Sequence, residues 1–434
     1  MSVRGAALLG VGAMVGAGIF ALLGEAGAVA GAATWISFLL AGVVSVLIGY
    51  NVVKLGVRYP SSGGLFQYLL EGFGNGRLLG IAAWLGYMSA VLIVCSMCAV
   101  SFGDYAVSLF VSDGGAGWWD NVFTTAIVVA MALVVVIGPQ LVAQAQSLIV
   151  FIMLGILGVF VVVTLPSIDL DKLAFSGYPS VSDVVASVAL TFFAYLGFSV
   201  ITFAVGDMRD PARDLPKAMN RALGVTTIVY VLVAISVFGT LTVDEVVQYG
   251  PTAIAEAGRP ALGDAGFTMI AVAAMVGMAG SVVATLYASS GLTAMLSRVG
   301  QFPPFFGPGS RLGAKSGVLI SAAVVLVVAN TVYLSAIASV GSACSLLIFL
   351  LVGIAGYRRR ADTGSNAVIV LAAIAVTAIV LVFFTIDTLD NAPETFIAIV
   401  AIALLSIALD FIWKRRRERP RPGPPAASGI TPSG

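Results

Sequence analysis

No histidine occurs anywhere in the 434 residues. Its absence removes imidazole triads, imidazole metal ligands and histidine proton relays together, and hydrolase readings become poor. Cysteine is almost as scarce: Cys95, Cys98 and Cys344 all lie inside apolar runs. The C-x-x-C spacing at 95 and 98 therefore reads as packing ahead of redox or zinc chemistry. Charge is thin as well, at 10% of residues with a net value of +1. Basic residues that only flank apolar runs give no reason to expect a nucleic-acid partner. Long polar stretches are missing too, which leaves little chain for a separate soluble domain.

What is present instead is apolar. Hydrophobic residues make up 59% of the chain and the mean hydropathy is +1.06, far outside the balance of soluble domains. A membrane-spanning helix needs about 20 apolar residues. The chain divides into such runs at 5–30, 34–57, 78–110, 121–138, 141–165, 183–206, 218–242, 263–296, 316–333, 335–356, 366–386 and 394–413. An all-α integral membrane protein of about twelve spans follows.

Charge placement supports that count independently, because cytoplasmic loops carry the excess of Lys and Arg. With the N-terminus inside, twenty of the 22 basic residues fall inside, among them Arg58, Arg213, Arg311 and Arg358; only Lys172 and Arg259 fall outside. Outer loops hold acids such as Asp113, Asp169, Asp244 and Glu394. A cleaved signal peptide at the start would invert this bias. Both termini are expected in the cytoplasm of a multi-pass cell-membrane protein. The segment 414–434, rich in Arg and then in Pro, Gly and Ser, reads as a basic disordered tail.

The first span contains Gly10, Gly12, Gly16 and Gly18 in GVGAMVGAGIF, a density costly in a helix interior. Close helix packing is one explanation. A dinucleotide loop is a second, without the strand and helix context it needs. The third is a break that leaves backbone groups free at mid-membrane. The sixth span has a counterpart in TFFAYLGFSV, residues 191–200, interrupted by Gly197 and Ser199. Interruptions in corresponding spans of two halves point to a transporter site. A half-helix starting near Gly18 would aim its N-terminal amides at a carboxylate.

Together, GAMVGAGIF, RYPSSGGLFQYL, FFAYLGFSV, DPARDLPKAM and ATLYASSGLTAMLSRVGQFPPFF resemble the amino acid-polyamine-organocation transporter family over nearly the whole chain. The resemblance implies an inverted five-plus-five helix repeat with broken helices 1 and 6. Its first half would be 1–165, its second 183–356, with accessory helices over 366–413. It also implies a secondary transporter whose substrate touches Met14, Gly16, Ala17, Gly18 and Ile19 on the first span. On the sixth it would meet Phe192, Phe193, Ala194, Leu196, Gly197 and Ser199. Gly16, Ala17 and Gly18 would cradle a carboxylate, carbonyls near Met14 and at 192–196 would receive an ammonium, and Phe193 would be an aromatic gate. Segments 58–69 and 209–221 read as cytoplasmic connecting pieces, their helices stopped by Pro60, Pro211 and Pro216.

Two departures bear on coupling. Proton-coupled relatives often carry a lysine in the fifth span where this chain has Met153, and many carry Glu or Asp at the position of Ser199. Neither residue here exchanges a proton. A cation site is expected instead from Gly12, Val15, Met153, Ser281 and Thr285, leaving Na+ or H+ as the coupling ion and no resident cofactor. The spans lack a central ionisable group to pair with a charged side chain; Glu25 and Asp104 lie in outer parts. The expected substrate is a neutral, zwitterionic amino acid. The alternatives are an amine, a nucleobase or potassium on the same architecture, or a non-transporting membrane sensor or subunit. The oligomeric state is left open.

Overall fold

The computed structural model describes residues 1–111, 118–307, 309–313, 315–331, 334–391 and 393–418. The side chains of Ala17, Ala90 and Asn391 and of residues 334–339 and 416–418 are outside the description, as are residues 419–434 of the expected tail. The chain is helical: α1 Val3–Ala30, α2 Thr34–Arg58, the short α3 Leu65–Phe73, α4 Arg77–Phe110, α5 Trp118–Ile137 and α6 Pro139–Thr164. Then follow α7 Val181–Phe193, α8 Leu196–Phe203, α9 Pro211–Thr240, α10 Asp264–Arg298, α11 Lys315–Ala329, α12 Leu334–Arg358, α13 Ala367–Asn391 and α14 Pro393–Glu418. Among the described residues each apolar run overlaps a helix, the run 183–206 falling on the bent pair α7–α8. Among the described residues nine stretches are long and apolar enough to cross a membrane, and the bent pair α7–α8 makes a tenth.

Local chemistry sets many of the boundaries. Ser2 caps α1 through the Gly5 amide, and Ser180 forms a reciprocal capping box with Asp183 at the start of α7. Gly138, at φ 149°, turns the chain between α5 and α6, and Pro139 occupies the first helical position of α6.

The 209–221 segment is not the connecting piece expected. Asp210 caps α9 through the Arg213 amide, Pro211 sits in the first turn where its missing N–H costs nothing, and the helix continues through Pro216.

The break expected in the first span is likewise absent, because the backbone of α1 is helical from Val3 to Ala30. Its glycines are explained by contact. A Cβ on Gly10 would run into the Ile201 side chain, one on Gly12 into the Gln146 amide, and one on Gly16 into the backbone of Gly277. Small residues that let backbones approach are a common way to pack helices in lipid.

α1 is the axis of the molecule, wrapped by α6, α7, α8, α9 and α10, while α2 packs along α9 and α14 lies on α4. The outermost helices turn large apolar side chains outward, among them Phe151 and Val162 on α6 and Leu404 on α14. Hydrocarbon is the solvent such a surface suits.

Candidate functional site

The sixth span bends by 41° between Phe193 and Leu196. Around the bend the α-helical ladder tightens: the amides of Ala194, Tyr195 and Phe198 bond three residues back, to Thr191, Phe192 and Tyr195. Such i→i+3 bonds mark a local departure from α-helix. Hydroxyls hold the bend in place. Thr191 donates to the Ser37 carbonyl at 3.1 Å and Tyr195 to that of Phe38 at 2.9 Å, both on α2.

At this level α8 and α1 meet backbone to backbone. A Cβ on Gly197 would overlap the backbone of Ala13 and Met14, and one on Gly18 would meet the Ala194 side chain and carbonyl. Tyr230 of α9 spans the crossing: its hydroxyl lies 2.6 Å from the Met14 carbonyl and 2.9 Å from that of Ala194. Expected substrate positions on both helices thus share one buried phenol that sequence reasoning missed. The available signal was a lone tyrosine inside the apolar run TTIVYVLVAI, since a buried phenol needs a partner.

With α1 continuous, the amides of Gly16, Ala17 and Gly18 point along the helix to carbonyls four residues back, so the carboxylate cradle is not open in this conformation. The Ala17 side chain is outside the described residues. Met14 and Ile19 are fully buried beside the crossing. The Phe193 ring packs over Gly341 and close to Ile93, while Phe192 meets Phe349 edge-on at 5.7 Å.

Leu196, Ser199 and Thr285 line a cavity of about 50 Å³ on the side carrying the basic loops, room for a few waters. Sequence reading missed its floor, Leu65 and Phe66 of α3, and its wall at Val91, Ser345 and Phe349. Among the described residues none that lines it is charged. Ser199 itself donates to the Leu196 carbonyl at 2.8 Å, a bond within its own segment. On the opposite side residues 250–252 lie against α1 at Gly24, and the Tyr105 hydroxyl holds them through the Pro251 carbonyl.

Of the residues expected around a coupling ion, Gly12, Val15, Met153 and Ser281 lie between α1, α6 and α10, whereas Thr285 lines the small cavity with Leu196 and Ser199. Ser281 donates to the Gly12 carbonyl at 3.1 Å and lies 3.4 Å from that of Ala13. Met153 is fully buried with its sulfur over Gly277, which in turn faces the Gly16 Cα. Val15 is buried in the same core. Gln146, two turns before Met153, was not foreseen: it is 1% exposed, lies against Gly12, and among the described residues neither of its amide atoms has a hydrogen-bond partner. Glu25 is exposed and Asp104 half-buried, both toward the side opposite the basic loops.

An apolar bundle of such length, with a bent helix crossing a glycine-rich one at its centre, is that of a multi-pass membrane protein. Residues 1–362 match the family described as amino acid permease, and the chain belongs to that family. It is 28% identical to the inner membrane transport protein YbaT of Escherichia coli, over 94% of this chain and 95% of the relative. It is 27% identical to a methylthioribose transporter of Bacillus subtilis, over 69% and 67% of the two chains. The serine/threonine exchanger SteT of the same organism is 26% identical over 62% and 61%.

Proposed function

We propose that the protein is a secondary active permease of the cell membrane that carries a neutral, zwitterionic amino acid by alternating access between the two inverted halves. The observation that carries this reading is the Tyr230 bridge. Main-chain carbonyls of Met14 and Ala194 converge on one buried point, where an ammonium group could replace the phenol, and among the described residues no charged side chain hydrogen-bonds to either carbonyl. The amides of Gly16, Ala17 and Gly18 become the carboxylate partner when α1 opens beside them. The contact of residues 250–252 with α1 and the small cavity on the basic-loop side support reading this conformation as one between substrate-receptive states.

A serine/threonine exchanger among the relatives supports a small neutral amino acid, and the methylthioribose transporter keeps another uncharged solute as the alternative. For coupling, Na+ suits the polar set of Gly12, Ser281 and Gln146 better than H+, because none of these groups titrates. Uptake into proteoliposomes decides the substrate class. Alanine, serine or leucine should compete for a labelled neutral amino acid, with lysine, arginine and a polyamine far weaker. The opposite ranking would overturn the proposal.

A further inference from the structure

A cleft runs between α2 and α9 on the lipid-facing wall, away from the Tyr230 site. Two open cavities compose it, of about 400 and 650 Å³, and Val46 lines both. The one deeper in the membrane is apolar throughout, walled by Val43, Leu47 and Ile228 and floored by Gly224, where a Cβ would meet nothing within 4 Å. The other opens toward the basic loops and is lined by Lys54 and Arg58, one helical turn apart, with Asn220 opposite. From Gly42 to Arg58 the cleft follows α2 for roughly 24 Å at the helical rise. That is close to one leaflet with its headgroups, half of about 40–45 Å.

Charge selects the occupant. Among the described residues neither Lys54 nor Arg58 has a carboxylate within ion-pair distance; Lys54 reaches the Gly364 carbonyl at 3.5 Å and lies 5.8 Å from the centre of the Tyr50 ring, and Arg58 lies over the Tyr59 ring. The acid in the cleft, Asp362, is already answered by Arg359 at 3.4 Å and the Tyr59 hydroxyl at 3.2 Å. Arg213, Lys217 and Arg221 add positive charge along the exposed face of α9. A slot apolar at membrane depth and cationic at headgroup level matches an amphiphile with a hydrocarbon chain and a negative head.

We propose that this cleft binds one anionic phospholipid of the leaflet on the basic-loop side, with an acyl chain over Gly224 and the phosphate between Lys54 and Arg58. Because Gly224 and Tyr230 lie on the same helix, the lipid braces the element that holds the α1–α8 crossing.

The test uses full-length protein, delipidated in neutral detergent and titrated with phosphatidylglycerol, phosphatidylcholine or glycerol 3-phosphate while thermal unfolding is followed. Phosphatidylglycerol should raise the unfolding midpoint and the other two should not. The double variant Lys54→Ala/Arg58→Ala should weaken its apparent affinity roughly twenty-five-fold, at about fivefold per charge removed. Gly224→Leu should weaken it by blocking the slot, and Lys315→Ala, outside the cleft, should leave it unchanged. Equal effects of the two lipids, wild-type affinity in the double variant or in Gly224→Leu, or an equal shift with glycerol 3-phosphate would each overturn the proposal. The last would indicate a site for a free anion with no lipid chain.

Discussion

Tyr230 has one hydroxyl hydrogen for two carbonyls, so it satisfies either Met14 or Ala194 at a given moment while staying within reach of both. Tyr230→Phe keeps the ring contacts with Phe38 and Tyr195, each at 5.1 Å. The variant should therefore fold, losing about 1 kcal/mol from the conformation seen here. A ligand that competes with the phenol for these carbonyls should then bind up to about fivefold more tightly, because less of the protein sits in the occupied form. Equilibrium binding of the labelled substrate to purified protein checks this; weaker binding would place the hydroxyl among the substrate's own partners. The glycines divide by what surrounds them. Gly16→Ala pushes a methyl into the Gly277 backbone and should cost about 1–3 kcal/mol, whereas a Cβ on Gly155 meets nothing within 4 Å. Gly155→Ala should leave thermal stability unchanged or slightly raised, and similar midpoints for the two variants would contradict the packing argument. The density of glycine in the first span was legible in the sequence. That it serves close packing and not a break was illegible, because the neighbours of Gly12, Gly16 and Gly18 come from residues 146, 277 and 230.

Helices form where the apolar runs stand, since a hydrophobic stretch in lipid must satisfy its backbone internally. The largest boundary difference, at the start of α9, arose because Pro211 and Pro216 were read as stops, whereas Pro211 fits the first turn and the helix continues through Pro216. The bend of α7–α8 was legible from Gly197, but its two staples to α2 were not, as Thr191 and Tyr195 find their acceptors more than 150 residues away. The junction of α1, α6 and α10 has the same origin. Met153 and Ser281 stood out in sequence, whereas Gln146 gained meaning only when Gly12 proved to lie against it. A buried amide with both atoms unpartnered is costly unless something visits it. If that visitor is Na+, uptake should fall at least tenfold when choline replaces sodium, and Gln146→Leu should weaken sodium activation while the variant inserts normally. Identical uptake in the two buffers would remove sodium from the mechanism.

For the molecule as a whole, orientation follows from charge. Lys54, Arg58, Arg311, Lys315 and Arg358 lie at one end of the bundle, while the short outer helix Val243–Tyr249, capped reciprocally by Thr242 and Glu245, lies at the other. Backbone and hydroxyl contacts from Thr242 hold the Glu245 carboxyl below the usual carboxylate range, so that cap stays charged at neutral pH. The end rich in Lys and Arg should face the cytoplasm. The three native cysteines permit a clean check, because Cys95, Cys98 and Cys344 are all buried and buried thiols are inert. Intact cells carrying the unmodified protein should take up no membrane-impermeant maleimide on it. Asp244→Cys, on the outer helix, should label from outside, whereas Thr363→Cys, between α12 and α13, should label only after the membrane is opened. Labelling of Thr363→Cys in sealed cells would invert the orientation. The cavity under α8 would then open outward, and the leaflet assigned to the α2–α9 cleft would change with it.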